Sequence, residues 1–177
     1  KSLVIGTDGT HNKTYYQGEL DEVRFYDRAL GPGEVAQLHE MTPVWIPTNT
    51  RGVVLADVDL DTHLDLVASN YNQQNLWYKN NGYGQFEEVR YVDVGDVHNS
   101  TCLAMTKIDA DSRMDLVVGN DGQANRYYSA SSSGGFLPAQ IMGASVKDKT
   151  YAVELFDVDG DGFKDAVFGN HNATNKI

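Results

Sequence analysis

The chain has 177 residues, 41% of them hydrophobic, a formal net charge of −11 and a single cysteine. This length suits one domain, or a small domain with part of another, and the apolar content is enough for a core. No basic stripe is present, which argues against nucleic acid as a partner, and no polybasic segment points to an anionic membrane surface. Cys102 lies in the apolar run Cys102-Leu103-Ala104-Met105. It cannot form a disulfide within the chain and reads as a buried thiol. Gly, Asn, Asp, Tyr and Val are frequent while Leu, Glu and Lys are sparse, a balance that favours strands and turns over helices. No signal peptide or membrane span is visible.

Residues 1–40 differ from the remainder. Leu3-Val4-Ile5-Gly6 predicts a short strand and Thr7 to Thr14 a turn-rich loop. Val23 and Phe25, alternating with Glu22, Arg24 and Tyr26, predict a strand with one buried face. Gly31-Pro32-Gly33 then leads into a short helix over Glu34 to Glu40, with Glu in its first turn. The run Gly18-x-Leu20-Asp21-Glu22-Val23-Arg24-Phe25-Tyr26-Asp27-Arg28-Ala29-Leu30, followed by Glu34-Val35-x-x-Leu38, resembles the C-terminal end of LamG-like (concanavalin A-like) jelly-roll domains. The resemblance covers about 40 residues and implies that most of such a sandwich lies upstream. Asp21, Glu22 and Arg24 read as a salt-linked strand edge and not as a site. Residues 41–50 read as a linker stiffened by Pro43 and Pro47, with Trp45 and Ile46 apolar enough to pack against a neighbour.

From residue 51 one pattern is written three times. Asp59, Asp109 and Asp159 recur at an interval of 50, as do Asp61/Asp111/Asp161, Asp65/Asp115/Asp165 and Asn70/Asn120/Asn170. A fixed period of this size marks a repeat architecture. In the first copy Gly52 to Ala56, Leu64 to Ser69, Asn75 to Lys79 and Phe86 to Val92 predict four short strands. Asn80-Asn81-Gly82 is a hairpin signal between the last two. The second copy runs over 101–150, with Asn125 to Tyr128 as its third strand and a looser loop over Ser129 to Gly135. The third, over 151–177, stops partway through the pattern, so the chain is expected to be a fragment.

The acidic loop sits between the first two strands of each copy. Carboxylates at loop positions 1, 3, 5 and 9 suit a hard cation that takes six to eight oxygens, and calcium is such a cation. The candidate ligands are Asp57, Asp59, Asp61 and Asp65 in the first loop and Asp157, Asp159, Asp161 and Asp165 in the third. Position 7 contributes its backbone carbonyl, from His63 or Phe163. The second loop offers Asp109, Asp111, Asp115 and the carbonyl of Arg113. It has Lys107 at position 1, where an ammonium cannot ligate and could pair with the neighbouring carboxylates, so this site is expected to be weak. Position 6, where the chain turns sharply, is Gly162 in the third copy but Thr62 and Ser112 in the others. An EF-hand is excluded. Position 12 is Ala68, Val118 or Phe168 instead of Glu, and the flanking runs are strands.

The pattern Asp57-x-Asp59-x-Asp61-x-x-x-Asp65-Leu66-Val67, its two later copies and Asn70/Asn120/Asn170 resemble the FG-GAP/VCBS repeats of integrin-like β-propellers. The resemblance covers 51–177. It implies an all-β fold, a partial β-propeller of about two and a half four-stranded blades, with exposed strand edges that further blades of the full-length chain would cover. It also implies structural calcium in the loops, without catalysis there. The calcium dependence points to a secreted or cell-surface protein, bacterial by its low cysteine content.

The function expected is a non-catalytic module for adhesion or polysaccharide binding. An alternative is an accessory or catalytic part of a secreted lyase or glycoside hydrolase, and a further one is a protein-binding adhesion propeller. Tyr71 and Tyr83, flanked by Asn and Gly, and His171 in a variable loop are the candidate ligand contacts. The five histidines show no metal-binding spacing, and no nucleotide or hydrolase motif is present.

Overall fold

A computed structural model describes residues 47–143 and 148–177, together with Ala29 and Gly31. The chain divides into two compact units, Lys1–Glu40 and Met41–Ile177. The jelly-roll remnant expected at 1–40, and residues 41–46 of the linker with Trp45 and Ile46, lie outside the described residues.

The described residues of the second unit form ten strands: β1 (Thr50–Ala56), β2 (Asp65–Gln74), β3 (Leu76–Asn80), β4 (Phe86–Tyr91), β5 (Val97–Thr106), β6 (Asp115–Asn120), β7 (Arg126–Tyr128), β8 (Gln140–Ile141), β9 (Thr150–Phe156) and β10 (Asp165–Asn170). Every pairing is antiparallel, and all but that of β2 with β5 join sequence neighbours, so β1–β4 and β5–β8 form two meanders and β9–β10 the first half of a third. The first two meanders join in one eight-stranded sheet, while β9 and β10 form a separate two-stranded sheet. The join is made by the end of β2, where Tyr71, Gln73 and Gln74 pair with Asn99, His98 and Val97 of β5. This explains why β2 runs to Gln74, beyond the apolar run that ends at Ser69. Its last residues are polar because they serve the connection and not the core.

Strand alternation sends successive side chains to opposite faces, and each meander uses both. Val54, Ala56, Val67 and Trp77 of the first pack with Leu103, Met105, Leu116, Val118 and Tyr128 of the second. The other face of the second meander, through Cys102, Ala104, Val117 and Tyr127, packs with Val153, Leu155, Ala166 and Phe168 of the third. Strand β6 is therefore covered on both sides, and all six of its residues are buried. Its sequence, Asp-Leu-Val-Val-Gly-Asn, shows the continuous apolar run of a doubly covered strand. The loops turn in one way as well. Thr62, Ser112 and Gly162, all at loop position 6, have φ of 67–91°, the left-handed region that favours glycine.

Candidate metal centres

In every copy the acidic loop connects the end of the first strand to the start of the second. The last carboxylate does structural work in each. Asp65 is fully buried, and its two oxygens accept the backbone N–H groups of Asn80 (2.8 Å) and Val58 (3.3 Å). Asp115, equally buried, accepts from Ala130 (2.8 Å) and Ile108 (3.1 Å). Asp65 thereby ties its loop to the end of β3, and Asp115 ties its loop to the residues just after β7. Burial pushes the Asp65 carboxyl above its ordinary range. In the third loop Asp165 accepts from Val158 (2.9 Å) through one oxygen.

The first carboxylate shapes the turn. Asp157 accepts the N–H groups of Gly160, Asp161 and Gly162 (2.6–3.1 Å), and these, that of Gly162 foremost, hold it below the usual carboxylate range. Asp57 accepts from Asp61 (3.1 Å) and Thr62 (3.0 Å) in the same manner. Lys107 cannot accept, so the second loop is built differently. The N–H of Asp111 turns to Asp109 (2.8 Å). Lys107 does not take the cation's place: it is exposed and forms no ion pair among the described residues. Arg113 pairs with Asp111 instead (2.9 Å).

Two of the loops gather ligand atoms. One oxygen each from Asp157, Asp159 and Asp165 lie within 4.8 Å of one another, and so do oxygens of Asp57, Asp59 and Asp61. The third loop offers three hard oxygens close enough to share one divalent cation, part of the six to eight that calcium takes, and none of the three carboxylates has an ion-pair partner among the described residues. In the first loop a cation is already supplied by the protein. The Lys79 ammonium, from β3, bonds Asp59 and Asp61, the latter at 2.9 Å. That bond holds the Asp61 carboxyl down to about 2. Asp59 Oδ1 remains buried without a hydrogen-bond partner. The sequence reading missed Lys79 because nothing in the strand Leu76-Trp77-Tyr78-Lys79 shows which loop it reaches.

The candidate ligand residues separate. Tyr83 is exposed in the β3–β4 turn, at the same end as the first loop: its neighbour Gly82 abuts the His63 ring. Tyr71 and His171 lie at the opposite end of the strands, about 20 Å away by strand rise, and the structure links them. The Tyr71 hydroxyl donates to Asp121 Oδ2 (3.3 Å) and the Tyr151 hydroxyl to the same oxygen (3.2 Å). His171 meets the Tyr151 ring edge-on, with centroids 5.8 Å apart.

Acidic loops repeated between antiparallel strands, with carboxylates gathered on one centre, define a non-catalytic repeat module capable of binding calcium. The chain matches the FG-GAP-like repeat over residues 57–118 and again over 107–168, more than half its length, and it belongs to that family. Each match runs from one acidic loop to the second strand of the following copy. No curated protein matches the chain.

Proposed function

We propose that this chain is a calcium-stabilised module of a secreted or cell-surface bacterial protein, serving adhesion or polysaccharide binding. Residues 51–100, 101–150 and 151–177 are blades of an open β-propeller arc, preceded by a linker over 41–50 and the end of a LamG-like domain over 1–40. Further blades of the same chain cover its strand edges. Calcium is structural. It takes Asp157, Asp159, Asp161, Asp165 and the Phe163 carbonyl in the third loop, and Asp57, Asp59, Asp61, Asp65 and the His63 carbonyl in the first. The second loop, with Asp109, Asp111, Asp115 and the Arg113 carbonyl, binds weakly. Ligand contact falls to Tyr71, Tyr83 and His171.

The observation that carries this reading is the convergence of Asp157, Asp159 and Asp165 within 4.8 Å in a loop where Lys164 acts on Asp157 only from a distance and no carboxylate has an ion-pair partner among the described residues. Uncompensated carboxylates at that spacing repel one another, and a bound divalent ion reverses the sign of the interaction. No helix among the described residues is long and apolar enough to cross a membrane. The test is thermal unfolding against calcium concentration with magnesium as the control. A calcium-specific rise in melting temperature that Asp159→Ala removes supports the reading. No response up to millimolar calcium would overturn it.

A further inference from the structure

The three copies share an invariant frame at the end of the strands remote from the acidic loops. Thr50 and Asn70, Ser100 and Asn120, and Thr150 and Asn170 are joined hydroxyl to amide at 2.8–2.9 Å. In each copy the backbone N–H of that Asn donates to a second Asn five residues on, Asn75, Asn125 or Asn175, at 2.8–2.9 Å. The positions directly after these frame residues do not repeat. After the hydroxyl come Arg51, Thr101 and Tyr151; after the first Asn come Tyr71, Asp121 and His171. A rigid, repeated scaffold that presents different side chains from equivalent positions separates fold from recognition.

Five of those six varying residues form one contact chain across all three copies. The Arg51 guanidinium lies over the Tyr71 ring, 5.3 Å from its centroid. Tyr71 and Tyr151 both donate to Asp121 Oδ2, and Tyr151 meets His171. The shared carboxylate fixes both tyrosine rings, yet Tyr151 stays 53% exposed. Arg51 is exposed and has no carboxylate partner among the described residues, in a chain whose formal charge is −11. The cavities formed by Asn125, Met142, Phe168 and Ile177 and by Ile108, Tyr127 and Leu155 lie elsewhere and include none of the five.

We infer that Arg51, Tyr71, Asp121, Tyr151 and His171 form a binding platform for an acidic saccharide, a sugar bearing a carboxylate or a sulfate. The immobilised and exposed Tyr151 ring offers a flat face for sugar C–H groups at little entropic cost. Asp121 Oδ1 accepts sugar hydroxyls. Arg51, without a carboxylate partner among the described residues, takes the anionic substituent, for which its planar fork is suited. A peptide anchored by apolar side chains would need an apolar pocket, and these five side chains are polar or aromatic and line neither cavity.

The inference rests on the polysaccharide reading above, and the test separates the two. The full chain in millimolar calcium is titrated calorimetrically with tetragalacturonate, with a sulfated galactan tetrasaccharide and with the unsulfated galactan tetrasaccharide. At least one acidic oligosaccharide is expected to bind ten-fold or more tighter than the neutral one, and to weaken as salt rises. Arg51→Ala and Tyr151→Ala are each expected to lose ten-fold or more. Tyr71→Phe, which keeps the ring and removes the bond to Asp121, loses less. Tyr91→Ala, an exposed tyrosine on β4, is expected to bind as the parent does, and melting temperatures confirm that every variant folds. Binding of an acidic oligosaccharide that Arg51→Ala and Tyr151→Ala leave intact overturns this site alone. Equal binding of acidic and neutral sugars overturns the anionic class. Binding of none of the three overturns the polysaccharide reading with it.

Discussion

Asn75 donates through its side-chain amide to the Ser100 hydroxyl of β5 at 3.1 Å, joining the first meander to the second. Asn125 makes the same bond to Thr150 (3.1 Å), joining the second to the third. Asn75 is 5% exposed and its carbonyl also accepts the Asn70 N–H. Removing its amide strands a buried donor and a buried acceptor at once. Asn75→Ala is expected to lower unfolding free energy by about 2–3 kcal/mol in urea denaturation. Asn175→Ala, at an exposed position of the same frame, should cost less than about 1 kcal/mol. Equal losses would show that the inter-copy bond contributes nothing special.

Lys79 supplies the first loop with a cation, so calcium must displace it to bind there. Lys79→Met keeps the aliphatic stem and removes the charge. Without calcium the variant is expected to be less stable, because Asp59 and Asp61 lose their partner. With calcium, affinity at the first loop should rise about ten-fold, the equivalent of ~1.4 kcal/mol. Calorimetric titration of calcium into chelator-treated protein measures both the number of ions and their affinity. An unchanged titration would mean that Lys79 and calcium do not compete.

Position 6 of each loop gives a reciprocal pair of substitutions. Thr62 holds φ at 74°, where a β-branched side chain is strained. Thr62→Gly is expected to stabilise by about 0.5–1 kcal/mol, the relief exceeding glycine's entropy cost. Gly162 holds φ at 91°, and a Cβ there would meet open space. Gly162→Thr should therefore destabilise by about 1 kcal/mol or more through backbone strain alone. Denaturant midpoints of the two variants, compared with the parent, check both signs.

Tyr128 is 1% exposed and donates to Asp96 at 2.8 Å. Burial, then the nearby Asp96 charge, pushes its phenol well above the ordinary value of 10. A folded-state value raised in this way contributes stability that is complete below pH about 10, the unfolded value, and lost as pH rises beyond it. Ultraviolet absorbance titration is expected to show Tyr128 ionising only as the protein unfolds in alkali. Tyr128→Phe should lessen the alkaline sensitivity at a cost of about 1 kcal/mol at neutral pH. An early ionisation, with the fold intact, would contradict the buried environment.

At Gly119 a Cβ would lie 2.5 Å from Cys102 Sγ and 2.7 Å from Thr150 Cγ2. The second and third copies approach each other too closely for any side chain there. Gly119→Ala is expected to cost about 1–3 kcal/mol by overpacking, read as a lower melting temperature. The same contact explains Cys102, whose thiol burial pushes upward. It should react slowly with thiol reagents in the parent and faster in the variant, where the seam between copies has opened.

The order of strands was legible in the sequence because it depends on local signals. Asp-rich turns at a 50-residue interval, each flanked by apolar runs, fix which segments are strands and which are loops, and sequence-adjacent antiparallel pairing follows from short connections. The acidic residues were legible as a set, but their division of labour was not. Asp65 and Asp165 occupy the same loop position, yet two backbone N–H groups hold both oxygens of the first and only one holds the second. That difference depends on where Asn80 comes to rest. The Asn75, Asn125 and Asn175 partners were within reach of the 50-residue period as well, since they repeat as regularly as Asn70, Asn120 and Asn170.

The period, the loop chemistry and the alternation of apolar residues follow from the order of residues alone, since each is a property of neighbours along the chain. Folding in three dimensions brings Lys79 into the first loop, keeps Lys107 out of the second, and makes Tyr71, Asp121, Tyr151 and His171 meet. Those residues come from separate copies, 30 to 50 positions apart for each contact beyond Tyr151 and His171. Their meeting is set by how one meander stacks on the next, and side-chain volume, burial and hydrogen-bond geometry in three dimensions govern that stacking.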